Sequence, residues 1–458
     1  MNPKKEKYLD FLRGKMPRAT SAGFEPPSEP HPSLFPHQRD ICQWACRGGR
    51  RAIFANFGMG KTRMHLQIAK WIVEKTNGKY LIIAPLGVRQ EFTKVDAPAL
   101  GMDLEYVKND SEVDECKSPF MITNYERVRD GNITLSKFDG AGLDEASVLR
   151  SFGSKTYQTF LDMFSEIPYR FVFTATPSPN RHRELINYAG FLGVMDTGEA
   201  LTRFFQRNSE KANDLSLYPH MEQQFWYWLS TWAVFLQRPS ELGYSDEGYD
   251  LPPMQVHWHK VEIDHRKAWS QSDSWGQFQL FVDQSTGLQE GAEIKRDTIG
   301  SRLEKAISII ESDSPEKHWL IWHDLEKERE AIHKKIPEAV CVWGSQDLEE
   351  RENRILAFAR GESRILATKP VIAGSGCNFQ RYCADAVFLG VGYKFNDFIQ
   401  ACHRIYRFHQ KKQVNIHVIY CESEAMIMEA LKTKWRQHDE LMQTMSSLLK
   451  EHKLTNLE

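Results

Sequence analysis

Short apolar runs alternate with amphipathic stretches along most of this chain. RAIFA, YLIIAPL, FMITNY and RFVFTATP are continuous apolar segments, and TRMHLQIAKWIVEK between the first two has helical spacing. Buried strands that alternate with helices predict a parallel sheet covered on both faces. The series resumes downstream. RLEKAISIIES and LEERENRILAFARG predict helices, while HWLIWHD, SRILATK, ADAVFLGV and QVNIHVIYC predict strands. The tail EAMIMEALKTKWRQHDELMQTMSSLLKEH predicts one long amphipathic helix. KFDGAGL, with two glycines, is a weak strand candidate.

Between the two α/β regions the pattern changes. EQQFWYWLSTWAVFL places Phe225, Leu229, Trp232 and Leu236 at helical spacing. This predicts a helix whose aromatic stripe packs on a lobe, with a helical insertion that touches DNA or grips the second lobe as the alternative. Near the start, residues 16–36 carry six prolines, as expected of an extended arm. The expected layout is an arm over 1–30, a first α/β lobe over 31–185, a helical aromatic-rich segment over 186–255, a second lobe over 256–425 and a terminal helix over 426–458.

The 458 residues exceed one ordinary core. A net charge of -2 means that any nucleic-acid site is a local basic patch. The eight cysteines form no CxxC pair, which favours reduced thiols and an intracellular, cytoplasmic setting and argues against a zinc module. Cys42 and Cys46 read as core. The opening MNPKKEKYLDFLRGKM lacks the apolar segment of a signal peptide, and no run is long enough for a membrane span.

Candidate chemistry begins at ANFGMGKTRM, residues 55–64. A strand, a small-residue loop closing on Gly-Lys-Thr, then a helix is the pattern of a phosphate cradle. Gly58 and Gly60 would let backbone N–H groups converge on phosphate oxygens. Lys61 would supply a point charge and Thr62 a hydroxyl for Mg²⁺. Ala55 stands where the strict pattern has its first glycine. Asp144 and Glu145 in LDEAS would hold Mg²⁺ through its water shell and orient or deprotonate an attacking water; alone, the pair also reads as a solvated acidic turn. Thr174 and Thr176 in FTATPSPN either bridge that motif to nucleic acid or mark a plain strand exit. Arg404 and Arg407 in QACHRIYRFHQ fall on one face if the segment is helical. They then suit an arginine finger or surface ion pairs.

In this order the motifs resemble those of the superfamily 2 helicases, and within them the Swi/Snf-like double-stranded-DNA translocases, in a compact bacterial or bacteriophage form. FPHQ resembles the adenine-reading glutamine motif, ANFGMGKT motif I, LIIAPLGVRQEF motif Ia and ITNYERVR the DNA-contacting motif that follows. LDEAS, TATP, LIWHD, ATKPVIAGSGCNFQ and QACHRIYRFHQ resemble motifs II to VI. His403 and the Phe408-His409 pair depart from the usual motif VI, and motif V carries extra residues between Lys369 and Gly374.

The resemblance implies an α/β fold of two RecA-like parallel-sheet lobes, ATP with Mg²⁺ in the cleft between them, and Gln38 as the adenine contact. It implies Lys61, Asp144, Glu145, Arg404 and Arg407 as catalytic residues. Arg89, Arg127, Thr176, Lys369 and Asn378 would contact DNA phosphates, with Gly374 and Gly376 admitting the strand. The track would be duplex or branched DNA, bound without sequence preference and with strong salt dependence. The alternatives are the motor subunit of a restriction or modification assembly working with a protein partner, a nucleic-acid-binding module with weak or silent ATPase, and a small-molecule kinase.

Overall fold

The computed structural model describes residues 18–150, 154–177, 182–207, 215–262, 296–373, 378–390, 395–421 and 424–451. The chain divides into two compact units, Met1–Glu247 with Gln437–Glu458, and Gly248–Arg436. Each is built on a wholly parallel sheet with helices, the two-lobed RecA-like α/β class.

In the first unit the strands are β1 (Arg50–Ala55), β2 (Tyr80–Ile83), β3 (Leu104–Tyr106), β4 (Phe120–Thr123), β5 (Gly140–Asp144) and β6 (Tyr169–Thr174), with a small antiparallel ribbon of β7 (Phe205–Arg207) and β8 (Leu215–Leu217), and β9 (Ala233–Leu236). The sheet has seven strands in the order β3-β4-β2-β5-β6-β1-β9. Its central strands are buried nearly end to end, as a parallel sheet with two covered faces requires.

The weak candidate KFDGAGL supplies β5. Its glycines are there for close approach: a Cβ on Gly142 would lie 2.1 Å from His65 Nε2 and 2.6 Å from the Tyr80 hydroxyl. His65 projects from the helix Lys61–Thr76 and stacks on Phe173 of β6 with ring centres 4.2 Å apart. Burial pushes its pKa down to about 3.

Two sequence expectations need correcting. The segment 186–255 is not simply helical. Its helix Glu222–Ser230 stops before Trp232, and Leu236 ends strand β9, which pairs with β1 from Ala52↔Ala233 to Ala55↔Leu236. Phe225, Trp228 and Trp232 are fully buried in the core of the first unit. The stripe therefore packs on a lobe, because a β-branched and aromatic run beside an open sheet edge gains more from pairing than from another helical turn. The arm is also less detached than its prolines suggest. Residues 1–17 lie outside the described residues, but Ala22 and Phe24 donate to the Gly48 and Cys46 carbonyls, each at 3.1 Å. The Trp71 indole donates to Ser28 Oγ at 3.1 Å. Cys42 and Cys46 are buried and unpaired, as expected.

The second unit contains β10 (Met254–Val261), β11 (His318–Trp322), β12 (Ala339–Cys341), β13 (Ile365–Thr368), β14 (Cys383–Phe388) and β15 (Val414–Cys421). Its six-stranded sheet runs β10-β15-β14-β11-β13-β12. A fully buried ion pair, Arg302–Glu328 at 2.6 Å, braces the end of β11. Glu328 also accepts from the Asp324 and Leu325 amides at 2.8 and 2.9 Å, so the carboxylate is well satisfied. Among the described residues no helix is long and apolar enough to cross a membrane.

Candidate functional site

The phosphate-loop segment leaves the carboxyl end of β1 and runs into the helix Lys61–Thr76. Gly58 and Gly60 have φ of +80° and +81°, a conformation open to glycine and costly for other residues. A Cβ on Gly60 would also stand 2.2 Å from Gln38 Nε2. The N-cap Gly60 supplies no side-chain cap, and the positive end of the helix dipole at this turn suits an anion. Lys61 Nζ reaches back to the Ala55 and Asn56 carbonyls at 2.9 and 3.3 Å, and half-buried Thr62 follows it in the first turn. These donors fit a polyphosphate.

Gln38 is buried beside this loop rather than projecting from it. Its Nε2 donates to the Met59 carbonyl at 3.0 Å and its Oε1 accepts from the Phe35 amide at 3.0 Å. The expected adenine contact is, in this conformation, a brace between the first turn of Pro36–Gly48 and the loop. Buried His37 is pushed down to about 4 by burial, against the charges of Asp246 and Asp40.

The acidic pair sits where β5 ends. Asp144 closes the strand, and Glu145 follows with φ +51°, a left-handed conformation that is uncommon for a residue with a Cβ. Tyr125 donates to the Asp144 carbonyl at 2.6 Å. Burial first, then the Asp144 and Glu145 charges, pushes the Tyr125 phenol well up, so it stays protonated as a donor. Thr174 Oγ1 donates to Glu145 Oε2 at 3.4 Å and accepts from the Thr176 amide at 3.1 Å.

Register brings these parts together. Phe54 of β1 pairs with Thr174 of β6, and Phe173 of β6 pairs with Asp144 of β5. The loop, Thr174 and the acids therefore leave the carboxyl ends of three adjacent strands, the edge at which open α/β sheets bind ligands. Thr62 and Asp144 are the residues that would hold Mg²⁺ there, Asp144 through the ion's water shell.

The expected DNA contacts fare unevenly. Arg89 follows β2, and exposed Arg127 lies in the short helix after β4. The Arg89 guanidinium carbon stands 5.0 Å from the ring centre of Tyr106, the last residue of β3. Tyr106 carries no motif, and only its place in the sheet marks it. Thr176 is fully buried and presents no surface to a strand. Its amide donates to the Thr174 hydroxyl at 3.1 Å.

In the second unit Lys369 is paired with Glu326 at 3.2 Å, so the ammonium is already neutralised within the unit. Asn378 is half-buried. Gly374 and Gly376 lie outside the described residues.

Arg404 and Arg407 do not share a helical face. The helix Phe395–Cys402 ends before them, and 403–409 are turns. Buried Arg404 donates through Nε to the Gln400 carbonyl at 3.1 Å, while Arg407 is half-buried. Gln410 Nε2 holds the loop by donating to the Cys383 and Ile405 carbonyls at 3.1 and 3.0 Å. His409 takes φ +67°, and a Cβ on Gly248 would stand 2.7 Å from the Phe408 ring. The Phe408-His409 departure thus coincides with a turn that helical periodicity cannot anticipate.

No family model matches the chain, and no curated protein does. Among solved structures it is similar to the SWI2/SNF2 ATPase core of Sulfolobus solfataricus in complex with dsDNA, at 17% identity and a TM-score of 0.42, over 92% of this chain and 96% of that one. At that distance the likeness assigns no residue a role.

Proposed function

We propose that this chain is an ATP-driven motor that moves along DNA, duplex or branched, without sequence preference. One observation carries the reading: the phosphate-loop segment, Thr174 and the acidic pair share the carboxyl edge of the first sheet, and Arg89 and Arg127 follow β2 and β4 on that same edge. A nucleotide site and a basic group in one rigid sheet are what coupling hydrolysis to a polyanionic track requires.

Bound ATP with Mg²⁺ supplies the phosphoryl group whose transfer to water releases free energy. The loop amides and Lys61 would hold the phosphates, Thr62 would offer its hydroxyl to Mg²⁺ and Asp144 would hold the ion through its water shell, and Glu145 would orient or deprotonate the attacking water. Arg404 and Arg407 are assigned to charge stabilisation of the same reaction on the strength of the motif resemblance. Arg89, Arg127, Lys369 and Asn378 are assigned to the phosphate backbone, Lys369 by exchanging Glu326 for a phosphate.

The test is ATP hydrolysis by the purified chain with no nucleic acid, single-stranded DNA, duplex DNA, branched DNA or RNA, at two salt concentrations. Strong stimulation by duplex or branched DNA, abolished in Lys61→Ala, is expected. Arg407→Ala should lose on the order of 10³–10⁵ in turnover, as for an arginine finger. Hydrolysis stimulated by RNA alone, or no hydrolysis by folded protein on any track, would overturn the reading.

A further inference from the structure

His65 stands one turn after Lys61 in the helix Lys61–Thr76, on the same helical face. Its ring is fully buried and touches the elements that carry the nucleotide motifs. It stacks on Phe173 of β6, with ring centres 4.2 Å apart and planes 20° apart. Tyr80 of β2 and Phe92 of the turn that follows β2 meet it edge-on, at 5.8 and 6.2 Å. At its Nε2 edge Gly142 of β5 leaves the room, where a Cβ would collide with that nitrogen and with the Tyr80 hydroxyl.

Each of the two inner contacts lies next to the acids. Phe173 pairs with Asp144 in register and precedes Thr174, whose hydroxyl donates to Glu145. Gly142 lies two residues before Asp144, on the same face of β5. One imidazole therefore joins the start of the phosphate-loop helix to the carboxyl ends of β5 and β6.

Stability alone does not call for histidine here. Among the described residues neither ring nitrogen has a hydrogen-bond partner. A buried polar ring without partners destabilises relative to an apolar side chain of similar volume. Burial also keeps the ring neutral, so it acts by shape. That shape is particular: flat enough to lie on Phe173, and one ring atom shorter than phenylalanine at the end that meets Gly142. Leucine has the bulk without the flat face. Close-packed interiors transmit small displacements, and a misplacement of about 1 Å far from the chemistry can cost on the order of 10² in rate.

We infer that His65 is a positioning residue for hydrolysis, its flat ring setting Lys61 and Thr62 in alignment with Asp144, Glu145 and Thr174. The inference rests on the ATP-driven reading and names the buried side chain that aligns the phosphate loop with the acids.

The experiment compares the full chain with His65→Leu, Phe173→Leu, the double variant and Ile72→Ala, each in the presence of duplex DNA. Ile72 lies about two turns further along the same helix and packs at Gly140, the first residue of β5, so its variant disturbs packing away from the acids. Thermal melting reports folding, titration with ADP reports nucleotide affinity, and kcat and KM for ATP report turnover. His65→Leu is expected to melt near the wild-type temperature, to bind ADP with wild-type affinity and to lose on the order of 10–10²-fold in kcat. Phe173→Leu should lose kcat similarly, and the double variant should lose much less than the product of the two, because they remove one contact. Ile72→Ala should melt lower and keep kcat. Wild-type kcat in folded His65→Leu overturns the inference and leaves the motor reading standing. So does a fall in ADP affinity that matches the fall in kcat, which would make His65 a support of the loop fold only. If His65→Leu does not fold, Phe173→Leu reads the same contact from the other ring, and wild-type kcat there overturns the inference. No hydrolysis by the folded wild-type chain on any track removes the motor reading and the inference together.

Discussion

Gln38 holds the phosphate loop by a hydrogen bond from its Nε2 to the Met59 carbonyl, 3.0 Å long. The amide is anchored at its other end by the Phe35 N–H. Loop geometry and helix start are thereby coupled through one side chain. Gln38→Ala should therefore weaken nucleotide binding by up to about tenfold, from the roughly 0.5–1.5 kcal/mol such a bond contributes. Gln38→Glu keeps the acceptor for Phe35 but sets a buried carboxylate oxygen against the Met59 carbonyl, so it should share the affinity loss and also lower the melting temperature. Nucleotide titration beside a thermal melt separates the two; unchanged affinity in both variants would refute the brace.

Glu145 combines a functional carboxylate with a left-handed backbone. Glu145→Gln should leave nucleotide binding intact and lower hydrolysis by about 10²–10⁴, the usual range for a general base. Glu145→Gly and Glu145→Ala both lose the bond from Thr174, but only glycine removes the Cβ that makes φ +51° costly, so the Gly variant should melt higher than the Ala variant while both lose hydrolysis. An Ala variant as stable as the Gly variant would show that the conformation carries no strain.

Gly142 leaves the space that His65 fills. Gly142→Ala forces a methyl into a gap where His65 Nε2 would be 2.1 Å away, and overpacking of this kind costs roughly 1–3 kcal/mol. Urea unfolding should show a lower midpoint with an unchanged slope. A wild-type midpoint would mean that β5 tolerates side chains and that its glycines serve no packing purpose.

His417 lies in the second sheet between His257, its register partner on β10, and His259, whose Nε2 is 3.0 Å from His417 Nδ1. Burial, then the charges of His257 and His259, pushes His417 down to about 4, with Asp313 pulling it up and Lys317 down. His259 is lowered too, by burial and then by Lys305 and His257. A folded pKa below the unfolded value means that the unfolded chain takes up protons first. Stability of this unit should thus be full above about pH 6.5 and fall progressively towards about pH 4. His417→Asn should flatten that decline in urea unfolding followed across pH; an identical pH profile would remove His417 as its source.

Most of the sheet strands were legible because a parallel strand covered on both faces must be apolar throughout, and that mark is local. RAIFA, YLIIAPL, FMITNY and RFVFTATP are all strands of the first sheet. The phosphate-loop pattern was legible for a similar reason: Gly58, Gly60, Lys61 and Thr62 act through backbone and side chains contiguous in sequence. The three-residue strands β3 and β12 were not, since so few residues carry no period. Nor was β9, whose aromatic residues suit helix and strand alike until the exposed edge of β1 selects pairing. The arginine pair misled because its spacing matches a helix that in fact ends at Cys402.

Sequence alone determined the α/β class, the order of the motifs and the residue types needed to hold a polyphosphate, since each is set by local pattern. Tertiary structure alone decided that Gly142 must lack a side chain, that Thr176 is buried, that Glu326 neutralises Lys369, and that Arg89 meets the Tyr106 ring. These depend on strand order and register. Parallel pairing joins residues far apart in sequence, and no local periodicity records which strand will lie beside which.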